Sequence, residues 1–174
     1  AFGRWVACWV WIHYALVMNL MEYETKAVNQ GFRNISGVDE AGRGPLAGPV
    51  VAAAVIFSPN IDIVALDDSK KLSPKKREEL FPEIQERATA YGVAVIGHKI
   101  IDEINILQAA RLAMKQAVDQ LNPIPDLLLI DGNQKIESSI DQWAIVKGDS
   151  KSLSIAAASV LAKVTRDRIM DEYH

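Results

Sequence analysis

Four consecutive apolar residues, Leu127-Leu128-Leu129-Ile130, are followed at once by Asp131-Gly132. A continuous apolar run of this length is typical of a strand that is buried on both faces of a sheet. A second run of strand-like length extends from Val50 to Phe57. The chain is therefore expected to contain a covered sheet, with an acidic residue at the tip of a buried strand.

Helical patterns alternate with the predicted strands. Ser73-Pro74 combines an N-cap with proline at the first helical position, and Gly92 is the expected stop of this helix. Residues 93–101 are predicted as a strand, after which Asp102 caps a second helix that ends at Asn122-Pro123. The apolar faces of the two helices are Leu80, Ile84 and Ala88 in the first, and Ile106, Ala110, Ala113, Ala117 and Leu121 in the second.

Further elements follow the same alternation. A short strand is predicted from Asn34 into Gly37-Val38, another over Trp143 to Val146, and a long helix from about Ser152 that presents small residues for close packing (Ala156, Ala157, Ala158 and Ser159). Alternating strands and helices predict an α/β fold, a mixed central β-sheet flanked by helices.

Length and composition predict one globular domain. The chain has 174 residues, of which 49% are hydrophobic and 24% charged, so neither disorder nor a fibrous repeat is expected. Its formal net charge of -3 is the opposite of what a protein needs to coat nucleic acid by charge alone, so any nucleic-acid contact must be local. The single cysteine, Cys8, excludes an intrachain disulfide and suits the reducing cytoplasm.

The segment from Trp5 to Met21 is almost wholly apolar and holds three of the four tryptophans. A short membrane span and a signal peptide are two interpretations, although the segment is at the lower length limit for a span and has no A-x-A-like cleavage site. The third, which we favour, is that residues 1–20 are not part of the domain and that residues 21–174 form it. No membrane association is then expected.

Four acids lie where a strand gives way to a turn: Asp39, Glu40, Asp131 and Asp149. Ligands collect at strand ends in α/β sheets, and Mg²⁺ or Mn²⁺ prefers oxygen ligands. Consecutive strand side chains point to opposite faces, so Asp39 and Glu40 share a site only if the backbone turns there. Taken alone, an acid after a strand is more often a solvated turn residue.

The segment Gly37-Val38-Asp39-Glu40-Ala41-Gly42-Arg43-Gly44-Pro45-Leu46-Ala47-Gly48-Pro49-Val50-Val51 resembles the signature of the ribonuclease HII family. Further blocks are similar to family blocks and stand in family order: Asp68 to Ser73, Asp102 to Asn105, Leu129 to Gly132, Lys147 to Ser152, and Ala156 to Arg168. The resemblance covers about Gly31 to His174.

The resemblance implies a ribonuclease H-like fold and a metal-binding catalytic quartet of Asp39, Glu40, Asp131 and Asp149. The implied activity is cleavage of the RNA strand of RNA–DNA hybrids, including single ribonucleotides in duplex DNA. Two ions, Mn²⁺ or Mg²⁺, would assist, giving 5′-phosphate and 3′-hydroxyl products. We expect a cytoplasmic monomer with nucleic acid as its partner.

Gly42, Arg43 and Gly44 resemble the family's reader of the ribose 2′-hydroxyl, because glycine lets the backbone approach the sugar closely. A tight Gly-Pro turn with Arg43 in solvent is the alternative. Basic residues near the site are expected to hold phosphates: Ser69, Lys70 and Lys71 in one loop, and Lys147 and Lys151 beside Asp149. Lys75, Lys76 and Arg77 are predicted as a solvated helix face. The segment from Arg166 to Arg168 either supports the site or forms surface ion pairs.

The family normally continues past the last helix into a Lys-Gly-Tyr block, which this chain does not reach. A catalytically impaired hybrid-binding fragment is therefore an alternative function. Ribonuclease HIII is another, although it usually has glutamate where Asp149 stands.

Overall fold

A computed structural model of the chain describes residues 20–45, 47–59, 61 and 72–173. The sequence-predicted site residues Ser69, Lys70 and Lys71 lie outside this part of the chain. Residues 1–19, which include most of the apolar segment, also lie outside it. In chain order the elements are α1 (Glu22–Asn29), β1 (Ile35–Ala41), β2 (Val50–Ile56), α2 (Pro74–Arg87), β3 (Ala90–Ile96), α3 (His98–Val118), β4 (Leu127–Asp131), β5 (Asp141–Ile145), a 3₁₀ turn (Gly148–Ser150) and α4 (Leu153–Glu172).

The strands form one five-stranded sheet in the order β3-β2-β1-β4-β5. The pairs β1–β2 and β2–β3 are antiparallel, whereas β1–β4 and β4–β5 are parallel. The sheet is therefore mixed, and the predicted α/β class is confirmed.

Helices cover both faces of the sheet. In β2, Ala52 and Ala54 pack with α3, whereas Val51, Ala53 and Val55 pack with α2 and α4. This alternation follows from the two-residue period of a strand, and it buries every residue of β2. The contact between α4 and β1 is close at Gly37, where a Cβ would lie 2.1 Å from the Ser154 carbonyl carbon. Only glycine permits this approach.

Two helix starts were predicted at the correct residues. Ser73 caps α2 by accepting a hydrogen bond from the Lys76 N–H at 3.2 Å, and Ser152 caps α4 through the Ile155 N–H at 3.2 Å. Of the small residues predicted to pack closely in α4, Ala156, Ala157 and Ala158 are buried, and Ser159 is half-buried.

The boundaries between α2 and α3 were predicted wrongly. The helix α2 ends at Arg87, and Gly92 lies inside β3, where a Cβ would lie 2.2 Å from the Ala117 carbonyl oxygen of α3. The strand β3 stops at Ile96, and α3 begins at His98 despite its β-branched residues, because Ile101 and Ile104 pack against the core.

Asp102 is not a helix cap. It lies within the first part of α3, which is interrupted at Asn105 (φ 68°, ψ 162°). The Asn105 side-chain oxygen accepts hydrogen bonds from the N–H groups of Leu107 at 3.0 Å and Gln108 at 3.1 Å. Asn105 therefore caps the second part of the helix by satisfying two free N–H groups, in a backbone conformation that residues with a Cβ rarely adopt.

Candidate active site

Two parallel strands bring Asp39 and Asp131 together. In the β1–β4 register Val38 lies opposite Ile130, so Asp39 and Asp131 are the next residues of adjacent strands that run in the same direction. Both aspartates line one cavity of about 580 Å³ at the carboxyl ends of these two strands. The acid that follows the buried strand therefore lies where strand-end ligands are expected.

Asp39 is the most enclosed of these carboxylates, with 4% of its surface exposed. Its Oδ1 accepts the Glu40 N–H at 2.7 Å, and Ser159 of α4 lines the same cavity. Burial raises the pKa of Asp39 well above its usual range, and the charges of Glu40 and Asp131 raise it further. A cation in this cavity would oppose that shift.

Glu40 lines the same cavity without the backbone turn that the sequence led us to expect. The strand β1 continues through Ala41, with Glu40 paired to Ala52, and the positive φ comes only at Gly42 (109°). Arg43 donates to Glu40 Oε1 at 2.9 Å. Burial raises the pKa of Glu40, although Arg43 opposes the shift.

Asp131 is held by the turn that precedes α4. The Gly148 N–H donates to Asp131 Oδ1 at 2.6 Å. A Cβ at Gly148 would lie 2.6 Å from Ile155 Cδ1, so a larger residue here would displace that side chain. Asp149 follows in the same 3₁₀ turn and is buried, but it does not line the cavity. The structure thus brings three members of the predicted quartet into one cavity and places the fourth in the turn that contacts Asp131.

The predicted substrate-binding residues differ in position. Gly42 lines the cavity, and Arg43 pairs with the cavity carboxylate of Glu40. Gly44, which follows Arg43, is exposed. Lys147 and Lys151 are exposed and are absent from the cavity wall. The Lys151 ammonium instead donates to the Val146 carbonyl at 2.9 Å.

Arg77 was predicted to be a solvated surface residue, and this was wrong. It is half-buried, lines the carboxylate cavity and donates from Nη1 to the Leu72 carbonyl at 2.6 Å. Its spacing of three and seven residues from the buried Leu80 and Ile84 places it on the inner face of α2, a signal that the sequence contained.

The helix α4 contributes a row of side chains to the cavity. The sequence left the role of Arg166 open and did not assign the other two to the site. Ser159, Lys163 and Arg166 stand four and three residues apart, so they share a helix face, and all three line the cavity. The choice left open for residues 166–168 is resolved residue by residue. Arg166 is buried against loop carbonyls, whereas Asp167 pairs with Lys163 and Arg168 pairs with Glu78.

The sheet order, the helices on both faces and the acids at adjacent strand ends define an α/β protein with a ribonuclease H-like fold. Ribonuclease H2 from Pyrococcus horikoshii matches with a TM-score of 0.72 and 30% identity, covering 80% of this chain and 75% of that one. The Bst-RNase HIII structure in complex with Mn²⁺ matches with a TM-score of 0.68 and 26% identity, covering 84% of this chain and 56% of that one.

Sequence comparison identifies the family. The ribonuclease HII profile matches residues 36–174. The ribonuclease HII of Ruminiclostridium cellulolyticum is 54% identical over 157 residues, which are 90% of this chain and 62% of that protein. The ribonuclease HII of Geobacter sulfurreducens is 57% identical over 152 residues, which are 87% of this chain and 70% of that protein. The chain belongs to the ribonuclease HII family and spans about two thirds of the length of these relatives.

Proposed function

We propose that this chain carries the catalytic core of an endonuclease that hydrolyses the RNA strand of RNA–DNA hybrids, including single ribonucleotides in duplex DNA. The observation that carries the proposal is the convergence of Asp39, Glu40 and Asp131 in one cavity beside the Gly42-Arg43-Gly44 segment. Family membership supports the same activity. The acidic residues would supply ligands for metal ions, and the glycine segment would let the backbone approach the ribose closely.

The donor set suits a hard divalent cation. All three cavity acids offer oxygen, and Glu40 Oε2 is buried without a hydrogen-bond partner within the described part of the chain. The side chains as they stand do not form a complete ion site, because no three metal-ligating groups of the described residues are suitably spaced. Arg43 occupies Glu40 Oε1 and the Gly148 N–H occupies Asp131 Oδ1, which leaves the second oxygen of each available.

Asp39, Glu40 and Asp131 are the residues that we propose as ligands of Mn²⁺ or Mg²⁺, with Asp149 as the fourth. When bound, two such ions supply activation of water and stabilisation of the departing 3′ oxygen. The products would carry a 5′-phosphate and a 3′-hydroxyl. The Glu40 N–H keeps Asp39 oriented, and the Gly148 N–H keeps Asp131 oriented.

Positive side chains around the cavity give an acidic chain a local means of holding nucleic acid. Arg77 and Lys163 line the cavity wall and would approach phosphates, while Arg43 and its flanking glycines would approach the ribose 2′-hydroxyl. We retain Ser69, Lys70, Lys71, Lys147 and Lys151 as proposed phosphate contacts, and a cytoplasmic monomer as the proposed form. No helix within the described residues is long and apolar enough to cross a membrane.

A hybrid-binding fragment without turnover is the second candidate, because the chain spans 62% of the Ruminiclostridium relative. Both candidates predict binding of a ribonucleotide-containing duplex, and only the first predicts a cut strand. Ribonuclease HIII is disfavoured by the HII profile match and by the higher identity to HII relatives.

The deciding experiment is cleavage of a labelled DNA duplex containing one ribonucleotide, with Mn²⁺ or Mg²⁺, against an all-DNA duplex. We expect a single cut on the 5′ side of the ribonucleotide, no cut of the control duplex and no cut in EDTA. Asp131→Asn should fold normally and lose cleavage by at least about a hundredfold, since a proposed ion ligand is removed. Asp119→Asn, an exposed aspartate at the end of α3, is the matched control. Binding without cleavage by the wild-type chain would favour the second candidate, and cleavage by Asp131→Asn would refute the ligand assignment.

A further inference from the structure

Arg166 holds an enclosed position between α4 and the loop that joins β1 to β2. Its side chain is 6% exposed. The Nε atom donates to the Pro49 carbonyl at 3.0 Å, and an Nη2 hydrogen is donated to the Ala47 carbonyl at 2.9 Å. Both acceptors belong to the glycine loop, defined here as residues 42–45 and 47–49. One guanidinium therefore fixes two of its backbone carbonyls.

The glycine loop closes tightly around this side chain. A Cβ at Gly42 would lie 2.6 Å from Arg166 Nε, and one at Gly48 would lie 3.2 Å from Arg166 Nη2. Both glycines have positive φ, of 109° and 89°. The two conformationally special glycines of the loop thus flank the same guanidinium, so the path of the loop and the place of Arg166 depend on each other.

The orientation of the carbonyls has a consequence for the loop's outer surface. In a trans peptide the C=O and the N–H point in opposite directions. Since the Ala47 carbonyl points to Arg166, the Gly48 N–H points away from it. A buried positive charge behind the loop with an N–H directed outwards favours a negatively charged or electron-rich group in front of the loop.

Arg166 also links the loop to the carboxylates through the rigid helix α4. Ser159 stands seven residues earlier on the same face of α4, and the side chains of Ser159 and Arg166 both line the cavity that contains Asp39. Side chains of one helix therefore reach both the loop and the acidic cluster. Two turns of helix set the distance between the group that would bind ions and the segment that would bind the sugar.

We propose that Arg166 is a positioning residue for ribonucleotide recognition: it fixes the Gly42-Arg43-Gly44 segment at a set distance from the carboxylates, without itself touching the reacting atoms. This inference rests on the proposed function, since it assigns the glycine loop to the substrate sugar. Loss of the guanidinium should loosen the loop and weaken substrate binding, while the carboxylates keep their places.

The test compares Arg166→Met, which keeps the apolar stem, with Arg166→Lys and with the matched control Arg168→Met on the exposed side of α4. Kinetics are measured on the single-ribonucleotide duplex at a temperature at which circular dichroism shows every variant folded. We expect Arg166→Met to raise KM about tenfold with kcat within about twofold, because two hydrogen bonds to the loop are lost. Arg166→Lys should fall between Met and wild type, and Arg168→Met should match wild type.

Hydrogen exchange supplies a readout that is independent of cleavage. In Arg166→Met the amides of the glycine loop should exchange about tenfold faster, while those of β1 and β4 remain as in the wild type. Gly48→Ala, which introduces a Cβ 2.3 Å from Met170 Sδ, should give the same kinetic pattern from the other side of the loop.

Unchanged kinetics despite a loosened loop, a fall in kcat at constant KM, or faster exchange throughout the sheet would each overturn the proposal. If the wild-type chain cuts no substrate, the proposed function fails, and the exchange comparison still decides whether Arg166 holds the loop.

Discussion

At the scale of single residues, Asp39 shows how a cluster of buried carboxylates imposes a cost on the fold. Its carboxylate is buried beside Glu40 and Asp131, and both burial and these charges raise its pKa. At a pH below the pKa that Asp39 has in the unfolded state, this carboxyl is protonated in both the folded and the unfolded protein, so its burial carries no charge. As the pH rises through the pKa of the folded state, the folded protein must carry a buried charge, and stability is lost.

Asp39→Asn should therefore stabilise the protein when no divalent ion is present. At pH 8 in EDTA we expect the free energy of unfolding to rise by about 1 kcal/mol, and the gain to vanish near pH 4 or below. Urea unfolding at the two pH values measures the difference. The exposed Asp119→Asn should show no such pH-dependent gain, and a variant that is less stable than wild type at pH 8 would contradict the assignment.

The sequence predicted the acids that line the cavity better than the basic residues that line it. Asp39, Glu40 and Asp131 follow strand patterns, and strand ends are readable from the periodicity of apolar residues. The roles of Arg77, Lys163 and Arg166 depend on which face of a helix meets the end of the sheet. For Arg77 that face can be read from its spacing to the buried Leu80 and Ile84. For Lys163 and Arg166 it cannot, because consecutive residues are buried along most of α4 and no single apolar face marks the side that meets the sheet.

At the scale of elements, the first and last described helices are joined through one buried carboxylate. Glu24 Oε1 accepts the Ser152 hydroxyl at 2.6 Å, the Ser154 hydroxyl at 2.7 Å and the Ser154 N–H at 3.0 Å. A negative charge at the start of α4 is also favoured by the helix dipole. Because α4 carries Ser159 and Arg166, Glu24 fixes an element on which the site depends.

Glu24→Gln should lower the free energy of unfolding by about 2 kcal/mol, because hydrogen bonds to a charged acceptor are replaced by weaker ones. Glu22→Gln, an exposed acid on the same helix, should change it by no more than about 0.5 kcal/mol. Thermal or urea unfolding of the two variants provides the comparison. Equal stabilities of the two variants would mean that the contacts of Glu24 add nothing to the fold.

Element types were more predictable from sequence than element ends. The Ser73 and Ser152 caps have a local signature, and both were located correctly. The start of α3 has none, because Gly97 provides no side-chain cap and the helix is favoured by the burial of its isoleucines. The interruption at Asn105 likewise depends on tertiary packing, which overrides the smooth apolar periodicity on either side.

At the scale of the whole molecule, the net charge of -3 sets how the protein can hold a polyanion. On the proposed function, contacts must be few and local. Arg166 is held by the loop carbonyls, so the basic side chains at the carboxylate cavity that would meet phosphates are Arg43, Arg77 and Lys163. Each phosphate neutralised by such a side chain releases counterions, so the dependence of affinity on salt counts these contacts. A shallow salt dependence distinguishes this mode of binding from coating by a uniformly basic surface.

Binding of an RNA–DNA hybrid should weaken with salt with a slope of log K against log salt of about -3, the value for three to four phosphate contacts. Fluorescence anisotropy with Asp131→Asn, which leaves the substrate uncut, measures this slope. Adding Arg77→Gln should reduce its magnitude by about 1. Adding Arg87→Gln, at the far end of α2 and paired with Glu83, should leave it unchanged. If Arg77→Gln had no effect on the slope, Arg77 would be a structural residue of the cavity wall. The phosphate contacts would then have to come from lysines outside the cavity, such as Lys147 and Lys151.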